Sequence, residues 1–574
     1  MCGVYGITYP NKEIVENMIE VCGHRGPDGK NIYVDNKVCI GHNLLAITDQ
    51  PNQSLQPWIT PKGNVLSYNG EIFNYFELRE KYKNMFKPKT NCDTELLAWG
   101  LDQFGYKFIE EIDSMHAFAY YDKTNQEIWL SRDHAGVKPL YYADRGNEGI
   151  IFSSEIKNMR KYVPGSYKLS DEGLACIKWC GFSVLDQTIF NNIKKLTAGE
   201  TLVYDLHNNK IKKKLYYRII PTLNHKFDAE EFRHQVHNTV KMTSIGIRDF
   251  GIFLSGGLDS GIIAYEMNKI NPNVKTFTNR FDLSCLPNDG TRIGWNDDAD
   301  VAKILAKQEN FNHKEVIISP QTLVDNWQEG IKINEEAIMN FNMFAYHYTN
   351  ACMKKNGITV TMAGDMGDEL LGGYFNHLNY LNEKQIKTPN HFIDYFSRIS
   401  TALPNFRTPA RIDPTYIMKK FRKLYVDDLW NGADPLSSYL AIECLTIVPD
   451  QYLTRNDKLG MNSSIEGRFP FTTKAFKKYC FSIPSSQKID RKRQVLKKPT
   501  KIAYKDILPK EMLNKVKSGW SGPIGQWLSN NTEVYKLFNK NVNDNVPAEA
   551  GAKTWKKLGR QWIFEDWKKY YNIV

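Results

Sequence analysis

The chain has 574 residues, 42% hydrophobic and 24% charged, ten cysteines and a formal net charge of +11. That length exceeds a single core, so two or more domains are expected. No apolar run reaches the length of a membrane span, so no membrane partner is expected. The cysteines show neither Cys-x-x-Cys nor a Cys/His metal spacing, which points to reduced thiols in a cytoplasmic protein. Basic residues are spread out, with small clusters at 212–214 and 491–498. No basic stripe interleaved with aromatics is visible, so surface composition accounts for the charge and no nucleic-acid partner is expected. The start, Met-Cys-Gly-Val-Tyr-Gly, lacks a basic segment followed by an apolar one, and no secretory signal is expected.

Removal of Met1 would expose Cys2, carrying a thiol and an α-amino group that can serve as its base. His24-Arg25-Gly26-Pro27-Asp28-Gly29 is a turn-rich string. Asn69-Gly70, after an apolar run, reads two ways: a hairpin turn, or an oxyanion hole made of the Asn69 amide and the Gly70 N–H. Asp93 precedes a helical pattern and reads as an N-cap or as a ligand for a substrate ammonium group. Residues 117–121, 127–131 and 149–153 alternate like strands.

In order and spacing, these strings resemble the class II glutamine amidotransferase domain over residues 2–217. The resemblance implies an α+β N-terminal-nucleophile hydrolase fold of stacked antiparallel sheets. It implies Cys2 as the nucleophile that frees ammonia from glutamine, with Asn69 and Gly70 as the oxyanion hole. Glu71 and Asp93 would hold the glutamine amino group, and Arg25 would support the surroundings of the nucleophile. One position departs from the family pattern. Where the family has an Arg that binds the glutamine carboxylate, this chain has Leu44. Loss of that contact removes on the order of 1.5–3 kcal/mol per charged hydrogen bond.

Residues 207–226 are polar and basic and are expected to form the joint between domains. A helix is expected over 229–244. Then comes Phe253-Leu254-Ser255-Gly256-Gly257-Leu258-Asp259-Ser260, after an apolar run and before a helical one. Strand, glycine loop and helix N-terminus make a phosphate site, through free N–H groups and the helix dipole. Asp259 would repel a bare phosphate, which suggests a bridging Mg²⁺. Strands are expected at 274–281, 313–318 and 357–362, and a helix at 297–308. This alternation predicts a doubly wound parallel sheet with ligands at the strands' carboxyl ends. Asp365, Asp368 and Glu369 would then face the crevice of Asp259. From about residue 375 the chain reads as helical, with 461–471 and 515–523 as loops.

The second part, 228–574, resembles the asparagine synthetase domain. It implies an α/β doubly wound parallel-sheet ATP-pyrophosphatase fold with a helical C-terminal portion, and the whole chain resembles glutamine-hydrolysing asparagine synthetases. The likeness implies ATP as substrate, with Leu254, Ser255, Gly256, Gly257, Asp259, Ser260 and Gly364 around its phosphates and Mg²⁺ on Asp259 and Asp368. Asp365 and Lys517 would act at the reacting centre. Aspartate and glutamine would be the other substrates, and a homodimer is the family's suggestion. Departures cluster on the acceptor side. The family's Ser-Gly-Glu-Gly-x-Asp-Glu is Ala363-Gly364-Asp365-Met366-Gly367-Asp368-Glu369, its Leu-Asp after Pro-Phe is Thr472-Thr473, and its Asp-Glu-Pro is Asn334-Glu335-Glu336. A different acceptor carboxylate, and an ammonia-dependent enzyme with an impaired glutaminase, are the competing expectations.

Overall fold

The structure, a computed structural model, describes residues 2–337, 340, 342–383, 414–427, 434–515, 522–529 and 562–573. Its first part holds strands β1 (Gly3–Ile7), β2 (Gly29–Val34), β3 (Cys39–Leu44), β4 (Trp58–Ile59), β5 (Val65–Ile72), β6 (Ser114–Asp122), β7 (Glu127–Arg132), β8 (Tyr141–Asp144), β9 (Ile150–Ser153), β10 (Lys194–Lys195), β11 (Glu200–Asp205) and β12 (Lys210–Leu215). They form two six-stranded sheets, ordered β10-β8-β9-β1-β3-β2 and β12-β11-β7-β6-β5-β4. Every pairing within them is antiparallel.

Period-two alternation stacks these sheets. In β6, Ala117, Ala119 and Tyr121 join Val4, Ile40 and Phe152 of the other sheet in one core. Phe118 and Tyr120 point the other way, onto Leu96, Leu97 and Leu101 of the helix Asp93–Phe104. The same period directs the site. Cys2 and Val4 share one face of β1's line, and Ser67, Asn69 and Glu71 share the facing side of β5. The Ser67 hydroxyl donates across the sheets to the Gly41 carbonyl, at 3.2 Å. Asn69-Gly70 is therefore mid-strand, opposite Ala117 and His116, and not a hairpin turn.

The second part is a parallel sheet of β13 (Phe250–Phe253), β14 (Lys275–Phe281), β15 (Asn312–Ile318), β16 (Val360–Met362) and β17 (Glu466–Arg468), ordered β15-β14-β13-β16-β17. The chain runs outward from β13 through β14 to β15, then returns to the other side of β13 as β16. That reversal opens a crevice beyond the carboxyl ends of β13 and β16, the usual ligand position in such sheets. Two expectations need correction. Glu466–Arg468 lies in the stretch read as a loop, yet it pairs with β16 as a fifth strand. Part of the presumed joint is β12, the edge of the second antiparallel sheet. Its lysines suit an edge that must not pair further.

Buried charge ties the two parts together. Arg25 meets Asp457 at 2.9 Å, Lys195 meets Asp450 at 3.0 Å, and Arg468 meets Glu71 at 2.9 Å. Arg468 is completely buried, and it also meets Glu466 at 2.7 Å and donates to the carbonyls of Thr243 and Ile245. Removing one partner of such a pair leaves an uncompensated buried charge. Arg468→Met should therefore cost about 3–5 kcal/mol, read as a fall in the urea midpoint. Glu71→Gln in the same background should recover part of that loss.

Candidate active sites

The first site forms where Cys2 meets β5. The Cys2 backbone N–H donates to Asn69 Oδ1 at 2.8 Å. Asn69 Nδ2 is then buried without a hydrogen-bond partner among the described residues, a donor ready for a developing oxyanion. Gly70 is pressed on β6: a Cβ there would lie 2.3 Å from the Met115 carbonyl oxygen. Arg25 Nε donates to the Cys2 carbonyl at 3.1 Å, and its other nitrogens meet Glu155 and Asp457, each at 2.9 Å. Burial pushes the Cys2 thiol up.

Asp93 is the first residue of its helix and not the cap, which is Cys92. Its carboxylate accepts from the Tyr68 hydroxyl and the Ile72 N–H, each at 2.9 Å, so it belongs to the site wall. Burial pushes its carboxyl up to about 6. Burial also pushes Glu71 well up, opposed by the Arg468 guanidinium. The cavity these groups enclose is about 30 Å³ and is lined by Cys2, Leu44, Gly70, Glu71, Asp93 and Glu466 among others. That is room for about two or three waters. Leu44 lines it where the resemblance called for a cation.

The second site is the crevice. Its loop hangs from β13, where the Leu254 N–H donates to the Phe277 carbonyl at 2.9 Å and Thr278 Oγ1 donates to the Leu254 carbonyl. Gly256 has φ +74°, and a Cβ would lie 2.1 Å from the Asp298 carbonyl oxygen, so only glycine fits. Ser255 Oγ and Ser260 Oγ are 2.9 Å apart, and Ser260 Oγ also accepts the Ser255 N–H at 3.1 Å. Asp259 lies in the first turn of the helix Leu258–Ile270. Gly364, after β16, approaches so closely that a Cβ would sit 2.5 Å from the Asp259 Cβ.

Asp259, Asp365, Asp368 and Glu369 line one cavity of about 370 Å³, as the alternating pattern predicts. Asp365 accepts from Asn456 Nδ2 at 3.0 Å, and burial raises its carboxyl, opposed by Arg455. Glu369 accepts from the Tyr374 hydroxyl at 2.8 Å and is pushed up to about 8 by burial and by Asp368. A second cavity of about 250 Å³ shares Ser255 and Asp368 and adds Gly256, Gly257, Lys497, Lys501 and Lys515. Lys497 Nζ pairs with Asp259 and, at 2.7 Å, with Asp368. The two carboxylates thus converge on one cation position, and carboxylate oxygens are donors that a hard divalent cation takes.

Sequence reading missed several groups. Lys497 reads in sequence as part of the basic cluster 491–498, but it is 4% exposed. Asn456 lines the crevice beside Arg455, which heads the stretch 455–471 that resembles the family pattern, and Tyr346 stacks on Phe253 with centroids 4.7 Å apart. Glu335 and Glu336 do not line the crevice. Glu335 accepts the N–H groups of Ile156 and Lys157 and meets Lys458 at 2.8 Å, while Glu336 accepts from Ser183 at 3.0 Å. Lys517 falls at 516–521, outside the described residues.

The crevice at the carboxyl ends of the parallel sheet thus accompanies a thiol site between antiparallel sheets. Residues 1–217 match the family described as "Glutamine amidotransferase domain", and residues 231–561 match "Asparagine synthase". The chain belongs to the asparagine synthase family and is a carbon–nitrogen ligase. It is 29% identical over 409 residues to putative asparagine synthetase [glutamine-hydrolyzing] 2 of Methanocaldococcus jannaschii, covering 66% of this chain and 76% of that one. It is 25% identical over 575 residues to asparagine synthetase [glutamine-hydrolyzing] 1 of Bacillus subtilis, covering 92% and 88%. It is 23% identical over 478 residues to asparagine synthetase B [glutamine-hydrolyzing] of Escherichia coli, covering 77% and 79%.

Asp93 yields a pH-dependent expectation. Its folded carboxyl lies above the ordinary range, so its stabilising contribution is complete below that range and is lost as pH rises through about 6. Asp93→Asn removes this loss. Urea titrations from about pH 5 to about pH 7 should show the variant gaining stability relative to the parent chain as pH rises.

Proposed function

We propose that the chain converts aspartate to asparagine with ATP, using ammonia freed from glutamine and releasing AMP, pyrophosphate and glutamate. Residues 2–217 serve as the glutaminase and residues 228–574 as the synthetase. The observation that carries this reading is the meeting of the Ser255–Ser260 loop and the Asp365–Glu369 turn in one crevice, with Asp259 and Asp368 aimed at one cation position.

In the crevice, the N–H groups and hydroxyls of Ser255, Gly256, Gly257 and Ser260 bind the leaving pyrophosphate. Asp259 and Asp368 would hold Mg²⁺, which would supply charge neutralisation at the phosphates. Arg455 lines the same cavity and suits the acceptor carboxylate. The acceptor oxygen attacks the α-phosphorus and forms an acyl-adenylate. Ammonia then attacks the acyl carbon and AMP leaves. Asp365, whose carboxyl burial keeps protonatable, is placed to take the proton lost by the attacking nitrogen. Lys517 is assigned to the same reacting centre by resemblance. At the first site the Cys2 thiol attacks the glutamine amide, Asn69 and Gly70 stabilise the oxyanion, and Asp93 receives the amino group.

Leu44 favours a second reading, in which ammonium supplies the nitrogen. Glu71, expected to hold the glutamine amino group, is already paired with Arg468. One experiment separates the readings: glutamine labelled with ¹⁵N at its amide, with aspartate, Mg²⁺ and ATP, and mass detection of the product. Labelled asparagine matched by AMP supports the main reading, and Cys2→Ala should then abolish glutamine use while sparing ammonium use. Product from ammonium salts alone supports the second reading, and Leu44→Arg should then restore glutamine use by about tenfold or more, the value of one charged hydrogen bond. Absence of product from either nitrogen source rejects aspartate as the acceptor.

A further inference from the structure

Lys497 follows the bridge that pairs Asp490 with Val495 and caps the short helix Lys498–Ala503, at φ +50°. Its ammonium lies between Asp259 and Asp368, although these residues are separated from it by long stretches of chain. Two glycines make this arrangement possible. A Cβ on Gly373 would lie 2.4 Å from Lys497 Cε and 1.7 Å from Asp368 Oδ1. A Cβ on Gly367 would lie 2.4 Å from Asp259 Oδ1. The two carboxylates and the ammonium therefore sit tightly against backbone. The side of Lys497 away from the acceptor cavity borders the chamber of about 250 Å³ that Ser255, Gly256, Gly257, Lys501 and Lys515 also line.

Two carboxylates aimed at one point repel each other unless a cation lies between them. A divalent metal needs the same oxygens that Lys497 holds. Metal alone would have to expel a buried ammonium and leave it beside the same carboxylates without a new anion. A nucleotide changes this balance, because its phosphates bring the metal and offer the displaced ammonium fresh oxygens in the adjoining chamber.

We propose that Lys497 holds the Asp259–Asp368 pair until a metal-bound nucleoside triphosphate arrives, and then binds the pyrophosphate moiety together with Lys501. Lys497 thus imposes an order on the reaction: metal enters with nucleotide and not before it. The proposal rests on the reading of the crevice as the nucleotide site, but its test does not require turnover.

The probe is Mn²⁺ titrated into the full-length, nucleotide-free enzyme, with free Mn²⁺ followed by electron paramagnetic resonance. The wild type should take up no Mn²⁺ at this pair until a non-hydrolysable ATP analogue is added. Lys497→Met should gain one Mn²⁺ per chain without nucleotide, and adding Asp368→Asn should remove it. Lys497→Arg, which keeps the cation, should exclude Mn²⁺ as the wild type does. Inhibition by pyrophosphate should weaken about tenfold or more in Lys497→Met, with the KM for ammonium unchanged. Tight uptake of one Mn²⁺ per chain by the nucleotide-free wild type overturns the proposal even if no variant folds. So does a folded Lys497→Met that gains no Mn²⁺. Absence of AMP formation from a wild type that behaves as expected with Mn²⁺ and nucleotide would instead count against the adenylation reading.

Discussion

Arg468 is the point on which the two halves depend. It sits on the last residue of the edge strand β17, inside the synthetase part, yet its guanidinium closes on Glu71 of the antiparallel part. A charge this deeply buried persists only when every donor finds an acceptor. Glu466, Glu71 and the carbonyls of Thr243 and Ile245 supply them. The constraint has a chemical consequence. Glu71 and Glu466 line the cavity beside Cys2, so one wall of the thiol site is made by the partner half of the chain. The cavity beside Cys2 is complete only when the parallel sheet is formed and docked.

A second tether runs parallel to it. Arg25 holds the Cys2 carbonyl on one side and Asp457 on the other. Asp457 follows Asn456 in the helix Thr454–Met461, and Asn456 donates to Asp365 in the crevice. The surroundings of Cys2 and of Asp365 are thereby attached to one short helix. Its position is over-determined from both sides, and the neighbouring ion pairs of Lys458 with Glu335 and of Asp450 with Lys195 hold it further.

What the sequence makes legible follows from local physics. The loop 254–260, the helix at 297–308 and the alternating strands are set by glycine placement and by periods of two and 3.6 residues, all readable in short windows. Strand alternation fixes which loops share an edge, and so brings the acidic turn 365–369 to the crevice of Asp259. The groups that escaped notice are those whose role is set by distant pairing. Lys497 looks like any lysine in a basic cluster until it meets Asp259, 238 residues away in sequence. Glu466-Gly467-Arg468 has no strand composition and becomes a strand because β16 offers an open edge and Glu71 offers a counter-charge. Asp93 does not cap its helix, because the Tyr68 hydroxyl and the Ile72 N–H, neither visible locally, take its carboxylate into the site wall.

Met366 shows how the acceptor side tolerates its departures. It occupies the place of a glycine in the family pattern and keeps a glycine-like φ of +77°. For a residue with a Cβ that conformation costs roughly 1–2 kcal/mol. The side chain is buried in the main core, and burial of a methionine is worth about 1.5–3 kcal/mol, enough to offset the strain. The backbone of the turn is thus preserved by a different balance of forces. It has to be, because Asp365 and Asp368 leave the chain on either side of Met366 and Gly367 and must point into one crevice. Gly364 keeps the glycine of the family pattern because the start of the Asp259 helix presses on it, and Gly367, at the variable position, packs against the Asp259 carboxylate. Met366 faces the core instead, so a side chain there has somewhere to go. Substitution is confined to the one glycine-like position whose Cβ direction the packing can use.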